Sequence, residues 1–246
     1  MARRIGRYTV QMDEQICIEG YAAVGGKKEA GGPIASFFDA LHEDTTLGQS
    51  SWEKAEAQLQ YEAASCALKK SGYQSEDLDY ILAGDLLNQC ISSTFGLREL
   101  GVPFLGQYGA CSTMAQTLAV SAMLVDGGSA RRCMAVTSSH FCTAERQFRN
   151  PLEYGGQRTP TAQWTVTGSG AAVVGKGTRT PQIRAVTVGR IADLGIKDAA
   201  NMGAAMAPSA AQTLLDFFQD TGTGPAEYDL ILTGDLGQIG SNLMQE

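Results

Sequence analysis

Apolar and polar positions along the chain repeat with two different periods, one typical of strands and one typical of helices. Residues 16–24 alternate between apolar and polar side chains and end at a Gly-Gly pair, which predicts a strand. Across residues 52–70 the apolar side chains recur at helical spacing, and Gly72 ends the pattern. Ser50 and Glu53 form a capping-box pattern, so we expect the first long helix to begin there.

Further apolar runs predict alternating strands and helices. Residues 112–125 are small or apolar on nearly all sides, and a helix of that kind is expected to be buried. Four short apolar runs are typical of strands: 80–83, 102–108, 132–138 and 170–175. Because strands alternate with helices, we predict an α/β fold with a mainly parallel sheet that is covered on both faces.

One segment of the chain occurs twice. Residues 72–86 align without a gap with residues 222–236, and seven of the fifteen positions are identical. A duplicated structural unit explains this similarity. We therefore predict an N-terminal unit at residues 1–177 and the start of a second, incomplete unit at residues 178–246. A second unit of the same length as the first would need roughly 80 residues beyond Glu246.

The second unit shows the same order of elements as the first. Residues 182–191 predict its first strand, and a helical pattern follows that Gly222 ends. The apolar positions of that helix are Ala211, Leu214, Leu215 and Phe218. Two βαβ-type units of this kind, with the apolar helix at 112–125 between their sheets, predict stacked layers in the order α/β/α/β/α.

The composition excludes several classes of protein. The chain has 246 residues, of which 43% are hydrophobic, so it can bury a normal core. A net charge of −7 without a run of Lys or Arg argues against nucleic-acid binding. The chain shows neither a membrane-length apolar stretch nor a secretory signal, so we expect it to act inside the cell. No Cys-x-x-Cys motif occurs among the six cysteines and there are only two histidines, so no metal site is predicted.

The sharpest candidate for chemistry is Cys111. It follows the strand predicted at residues 102–108 and a turn of small residues, and it opens the apolar helix. The amides and the dipole at a helix N-terminus favour a thiolate and also attract other anions, including carboxylate ligands. Cys111 is therefore a candidate nucleophile or ligand-binding residue. The alternative is a small packing residue in the core.

Two more polar residues follow predicted strands. His140 comes after the strand at residues 132–138, and Asn88 comes after the strand at residues 80–83. Ligands in α/β sheets bind at the carboxyl ends of the strands, so both are candidate ligand-binding residues. For His140 the alternative is a surface histidine in a turn. Asp85 lies at the same end of its strand, but Asp235 repeats it in the second copy, so we interpret both as turn-capping residues.

A long polar segment, residues 143–165, follows His140 in the sequence. It carries Arg146, Arg149 and Arg158. Arginine side chains bind planar carboxylates, so the segment is a candidate cover for a pocket that takes an acidic ligand. The alternative is a charged loop in solvent.

These residues carry a resemblance to a known superfamily. Gly109-Ala-Cys-Ser-Thr resembles the nucleophile segment of ketoacyl synthases and thiolases, and the duplicated α/β unit is similar to the thiolase-like fold. Within that superfamily nearly the whole chain resembles the stage V sporulation protein AD family. The segments that carry this resemblance are Tyr108-Gly-Ala-Cys-Ser-Thr-Met-Ala, Ser138-Ser-His, Thr143-Ala-Glu-Arg-Gln-Phe-Arg, Pro151-Leu-Glu-Tyr-Gly and Thr165-Val-Thr-Gly-Ser-Gly-Ala.

The resemblance implies a function in spore formation. Members of the family bind dipicolinic acid, which is pyridine-2,6-dicarboxylate, and work with membrane proteins of the same sporulation operon to move it into the developing spore as its calcium chelate. It implies a ligand site that contains Cys111, His140, Asn88, Arg146 and Arg149, with no cofactor apart from the calcium that accompanies the ligand. It also implies a protein of the cytoplasm or forespore that reaches the spore inner membrane through its partners.

Two other functions fit the same residues. One is an acyl-CoA-dependent condensing enzyme or acyltransferase with Cys111 as nucleophile, although superfamily enzymes take further His or Asn residues from later strands of the second unit. The other is a scaffold that docks membrane partners. Superfamily members pair through the strand before the nucleophile, so the resemblance implies a homodimer formed through residues 104–107.

Overall fold

A computed structural model describes residues 2–148, 163–198 and 201–246. The described residues form two compact units. The first comprises residues 14–148 and 165–183, and the second comprises residues 2–13, 163–164, 184–198 and 201–246. The sequence placed the boundary between two units after residue 177.

Within the described residues, eight strands form one sheet. Their bounds are β1 Arg3–Arg4, β2 Thr9–Gly25, β3 Ala40–Leu41, β4 Tyr80–Gly84, β5 Phe104–Gly106, β6 Arg132–Ser139, β7 Gly168–Lys176 and β8 Gln182–Thr187. The main path through the sheet is β1-β2-β7-β6-β4-β5, and β3 and β8 also pair with β2.

Seven α-helices accompany the sheet in the part of the chain that the structure describes. Their bounds are α1 Lys27–Ala30, α2 Trp52–Ser71, α3 Ile91–Leu97, α4 Thr113–Asp126, α5 Phe141–Phe148, α6 Met202–Thr221 and α7 Gly237–Gln245. Short 3-10 helices precede several of them, including Asn88–Cys90 before α3 and Ala110–Ser112 before α4. Among the described residues, no helix combines the length and the apolar character that crossing a membrane requires.

The sheet is mixed, so the expectation of a mainly parallel sheet is wrong. β4 runs parallel to β5 and to β6, whereas β7 runs antiparallel to β6 and to β2. An apolar run predicts that a strand is covered on both faces, but it does not fix the direction of its neighbours. The α/β class itself is confirmed.

Helix α2 covers one face of the sheet. It begins after Ser51, whose hydroxyl accepts a hydrogen bond from the Lys54 amide at 3.3 Å, so the predicted cap at Ser50 is wrong by one residue. Its alanines let the helix approach the strands closely. The core that results comprises Ala22, Val24, Leu59, Ala63, Ala64, Ala67, Leu68, Leu78, Ile81, Ala83, Leu97, Met134, Val136, Ala171 and Val173. Burying one leucine of this kind contributes about 2 kcal/mol.

Helix α4 packs on β4, β6 and β7 and covers the alternate side chains of those strands. Its buried residues include Thr117, Ser121 and Val125, whereas Leu118 and Leu124 are half-buried. The expectation that this helix is buried on all sides is therefore wrong within the first unit. An apolar surface shows that a helix can be enclosed, but enclosure needs a second layer of structure, which a single sheet does not supply.

The second copy of the repeated segment forms the same helix end as the first. Gly72 after α2 and Gly222 after α6 both have left-handed backbones, with φ of 84° and 69°. Each is followed by a 3-10 helix, at Ser75–Asp77 and at Pro225–Glu227. The duplication read from the sequence is confirmed over this stretch, but residues 230–233, which match β4, do not form a strand.

Candidate functional site at the carboxyl edge of the sheet

The carboxyl ends of β5, β4 and β6 lie side by side, because these three strands are neighbours and run parallel. We call this place the carboxyl edge. Asn88 follows β4, Cys111 follows β5 and His140 follows β6. The structure therefore brings these three residues to one edge of the sheet, as the sequence predicts. Their roles there stay predictions.

Cys111 lies on a sharp turn between β5 and α4. The residue before it, Ala110, has a left-handed backbone with φ of 48°. Any residue other than glycine costs about 1 kcal/mol of conformational free energy in the left-handed region. Such strain is often found at functional sites. Cys111 itself is exposed and precedes the first residue of α4 by two positions. It is therefore not a buried packing residue, and it lies where the helix amides favour negative charge.

Four of the other five cysteines differ from Cys111 in their surroundings. All six lie within the described residues, and none forms a disulfide. Burial raises the pKa of the Cys17, Cys90 and Cys142 thiols, and it raises that of Cys133 to about 12. These four thiols are therefore held in the unreactive protonated form.

His140 is buried, with 1% of its surface exposed, so it is not a surface histidine. Its Nδ1 accepts a hydrogen bond from the Cys142 amide at 3.1 Å, so Nε2 carries the proton and donates to the Thr45 carbonyl at 2.8 Å. The ring also packs against Trp52, with 5.2 Å between ring centroids. Burial lowers the pKa of His140, which favours the neutral ring. Both ring nitrogens are thus engaged within the chain.

The loop that carries Asn88 is fixed to the loop that carries Cys111. Asn88 is exposed at the start of its 3-10 helix, and the next residue but one, Cys90, has φ of 52°. The Cys90 thiol donates to the Gln107 carbonyl at 3.3 Å. Gly84 lies so close to Gln107 that a Cβ atom there would collide with the same carbonyl oxygen. The strand ends therefore hold Asn88 and Cys111 on neighbouring, tightly packed loops.

Arg146 lies on α5 and forms an ion pair with Glu53 in the first turn of α2. Glu53 also lines a cleft of about 630 Å³ between α2 and α3. The structure thus places Arg146 beside a residue of this cleft. Arg149 and Arg158 lie outside the described residues.

A group of buried polar side chains beneath the carboxyl edge was not predicted. We call the following six side chains the strand-end network: Glu56, Gln60, Asp85, Ser93, Ser138 and Thr143. The sequence held a signal for it, because Glu56 and Gln60 adjoin the apolar positions of α2, where polar residues are uncommon.

One end of the strand-end network is Asp85. One carboxylate oxygen accepts from the Leu87 amide at 2.8 Å, and the other accepts from the amide and hydroxyl of Ser93 at 2.8 and 2.6 Å. Asp235 accepts from the Gly237 amide at 2.9 Å. The predicted turn-capping role of both aspartates is confirmed, and Asp85 in addition ties its loop to α3.

The other end of the strand-end network is Glu56. Its carboxylate accepts from the hydroxyls of Ser138 and Thr143, each at 2.8 Å. Burial raises the pKa of Glu56 to about 7; the hydroxyl hydrogen bonds oppose that rise and the nearby charge of Asp85 adds to it. Within the described ranges, no group of three or more His, Cys, Asp or Glu side chains is arranged to hold a metal ion.

Comparison with known proteins identifies the family. The profile of the family described as stage V sporulation protein AD matches residues 6–246. The chain belongs to this family. It is 47% identical over 241 residues to stage V sporulation protein AD of Bacillus subtilis (strain 168), an alignment that covers 98% of this chain and 71% of that protein.

Solved structures show the fold of the chain. OleA of Xanthomonas campestris, bound with cerulenin, matches with a TM-score of 0.64 and 14% identity over 94% of this chain and 78% of that chain. A 3-oxoacyl-[acyl-carrier-protein] synthase III of Aquifex aeolicus matches with a TM-score of 0.61 and 15% identity over 93% of this chain and 79% of that chain. The predicted thiolase-like fold is confirmed.

Proposed function

We propose that the carboxyl edge binds dipicolinic acid for uptake into the developing spore. Membership of the stage V sporulation protein AD family places the chain in sporulation. The observation that carries the ligand class is Cys111, which is exposed on a strained turn at the N-terminus of a 14-residue helix. Amides at such a terminus bind carboxylates. A flat ligand with two carboxylates suits this position.

The candidate residues take different parts in this proposal. The amides that open α4 meet one carboxylate next to Cys111, and Asn88 on the adjoining loop offers an amide donor. Arg146 and Arg149 follow on the segment after His140 and supply charge for the second carboxylate. Both nitrogens of His140 already bond to Thr45 and Cys142, so we assign His140 to positioning the turn.

Calcium, membrane proteins and a second copy of the chain are the partners expected for this function. Calcium arrives with the ligand, whose ring nitrogen and carboxylates chelate it. Membrane proteins of the same operon receive the ligand, so the protein acts in the cytoplasm or forespore at the face of the spore inner membrane. Exposed Phe104 and Leu105 on β5 favour a homodimer through that strand.

Calorimetry with dipicolinate, with and without calcium, tests the ligand. Isophthalate is the matched control, because it has the same two carboxylates but no ring nitrogen for calcium. We expect heat with dipicolinate and a loss of affinity on the order of tenfold in Asn88→Ala. Full-length protein that gives no heat with dipicolinate in either condition would contradict the proposal.

A second candidate function is acyl transfer from acyl-CoA. The fold shared with 3-oxoacyl-[acyl-carrier-protein] synthase III and the exposed Cys111 favour it. In that reaction the Cys111 thiolate attacks the thioester carbonyl, and the coenzyme leaves as a thiolate that takes up a proton. Iodoacetamide labelling of Cys111 that acyl-CoA prevents would support this function. Labelling that acyl-CoA leaves unchanged would exclude it.

A further inference from the structure

The strand-end network joins two buried carboxyl groups through one amide. The Gln60 Nε2 donates to the Ser93 hydroxyl at 2.8 Å and to the Ser138 hydroxyl at 2.7 Å. Those hydroxyls in turn donate to Asp85 and to Glu56. The loop that holds Asn88 and the turn that holds His140 are therefore tied to the same side chain of α2.

Thr143 has two possible acceptors but a single hydroxyl hydrogen. Its Oγ1 lies 2.8 Å from a carboxylate oxygen of Glu56 and 2.9 Å from the carbonyl oxygen of His140. When Glu56 is ionised, the hydrogen points to the carboxylate. When Glu56 is protonated, its carboxyl group donates a hydrogen bond to the Thr143 hydroxyl oxygen. The Thr143 hydroxyl then donates its own hydrogen bond to the His140 carbonyl. In both states the Glu56 carboxyl group and the Thr143 hydroxyl group keep hydrogen-bond partners. Glu56 can therefore gain or lose a proton without unfolding of the chain.

The groups around Glu56 make its charge unfavourable. The charge of Asp85 at the end of β4 raises the pKa of Glu56, and the Ser92 hydroxyl on α3 opposes that rise. From α5 come Cys142, Glu145 and Arg146, and the guanidinium of Arg146 pairs with Glu53. Burial lowers the pKa of His140, which favours its neutral ring. Proton exchange at Glu56 therefore falls near neutral pH, where burial has brought its pKa to about 7.

We propose that Glu56 is a positioning residue of the dicarboxylate site and that its protonation raises the affinity of the site for a dianionic ligand. The inference rests on the proposed function. Protonation removes a buried negative charge beneath the edge that receives the carboxylates, where the low dielectric strengthens repulsion. It also gives the His140 carbonyl a hydrogen bond from Thr143. Glu56 acts through these neighbours and does not touch the ligand.

Dipicolinate affinity at pH 6 and pH 8, on either side of the pKa of Glu56 at about 7, tests this role in the full chain. The ligand is a dianion at both values. We expect wild-type affinity to fall on the order of five- to tenfold from the lower to the higher pH. Glu56→Gln should keep the tighter value at both, because its amide is neutral and retains the shape. Glu76→Gln makes the same side-chain replacement at an exposed residue before β4 and should follow the wild type.

Infrared difference spectroscopy supplies a readout that needs no ligand. We expect a carboxylic acid band that disappears as the pH rises through neutrality and that Glu56→Gln lacks. Dipicolinate should shift its midpoint to higher pH, because coupling between two sites is reciprocal. If dipicolinate binding in Glu56→Gln keeps the pH dependence of the wild type, the role of Glu56 is overturned and the proposed function is not. A titrating band without dipicolinate binding at any pH would overturn the proposed function.

Discussion

The two copies of the repeated segment follow helices that are alike. Helices α2 and α6 each have 20 residues, and each begins after a side-chain cap, Ser51 in one and Asn201 in the other. Each also ends at a left-handed glycine. Caps and glycine turns act over a few residues, so the similar local sequence suffices to form this part twice.

Beyond the turn the copies differ. Leu82 in β4 is fully buried, whereas Leu232 at the same place in the second copy is 82% exposed. β4 lies between β5 and β6, and residues 230–233 form no strand. A short apolar run thus becomes a strand only where neighbouring strands supply its hydrogen bonds and cover.

The copies also differ in chemistry. Glu56 and Gln60 of α2 correspond to Met206 and Ala210 of α6. Of the described residues, α6 therefore lacks the two polar side chains that tie α2 to the carboxyl edge. The two copies thus share their helix ends and differ in the residues that form a buried polar network in the first.

The largest expected difference between the copies is at their matching leucines. Leu82→Ala should lower the free energy of unfolding by about 3–4 kcal/mol, because it leaves a cavity in the core. Leu232→Ala should change it by less than about 0.5 kcal/mol, since the side chain is already in solvent. Urea unfolding followed by circular dichroism measures both. Equal losses would show that the second copy is buried like the first.

The next largest difference is the pH dependence of stability, which Glu56 should cause in the first copy and which Met206, at the matching position, cannot cause. The pKa of Glu56 is raised from 4.5 to about 7 in the folded protein, so the fold prefers the protonated form. Stability should therefore fall between those two pH values and level off above the higher one, by up to about 3 kcal/mol in total. Stability curves against pH for the wild type and Glu56→Gln should separate as the pH rises. Parallel curves would place the titration elsewhere.

A smaller difference is expected at the matching aspartates. Asp85→Ala removes the acceptor of three buried donors and should cost about 2 kcal/mol. Asp235→Ala loses one exposed hydrogen bond and should cost less than about 1 kcal/mol. Thermal unfolding of the two variants ranks them. The reverse order would be incompatible with the buried role of Asp85.

The smallest difference in stability loss is expected at Gly72 and Gly222, the two glycines that end helices α2 and α6. Gly72→Ala and Gly222→Ala each put a side chain in a left-handed position and should each cost about 1 kcal/mol. Similar losses in chemical denaturation would confirm that both glycines end their helices in the same way. A loss in one variant alone would show that the repeat is structural in only one copy.

Most of the first unit could be predicted from local pattern. The spacing of apolar residues gave α2 within one residue, and the motif around Cys111 placed the thiol between β5 and α4. The state of His140 could not be predicted, because its partners Thr45 and Trp52 are remote in sequence. The same holds for the strand-end network, whose members come from two strand ends and three helices.

The sequence by itself determined helices α2, α4 and α6, the glycine turns and the position of Cys111 after a strand, because each depends on residues a few places apart. The duplication was also visible in the sequence, because the two copies align directly. Helices α3 and α5 were not predicted. Only the tertiary structure decided which apolar runs became strands, which way β7 runs, and which polar side chains are buried together. Those outcomes depend on contacts between distant segments, where burial shifts the pKa of Glu56 and engages both nitrogens of His140.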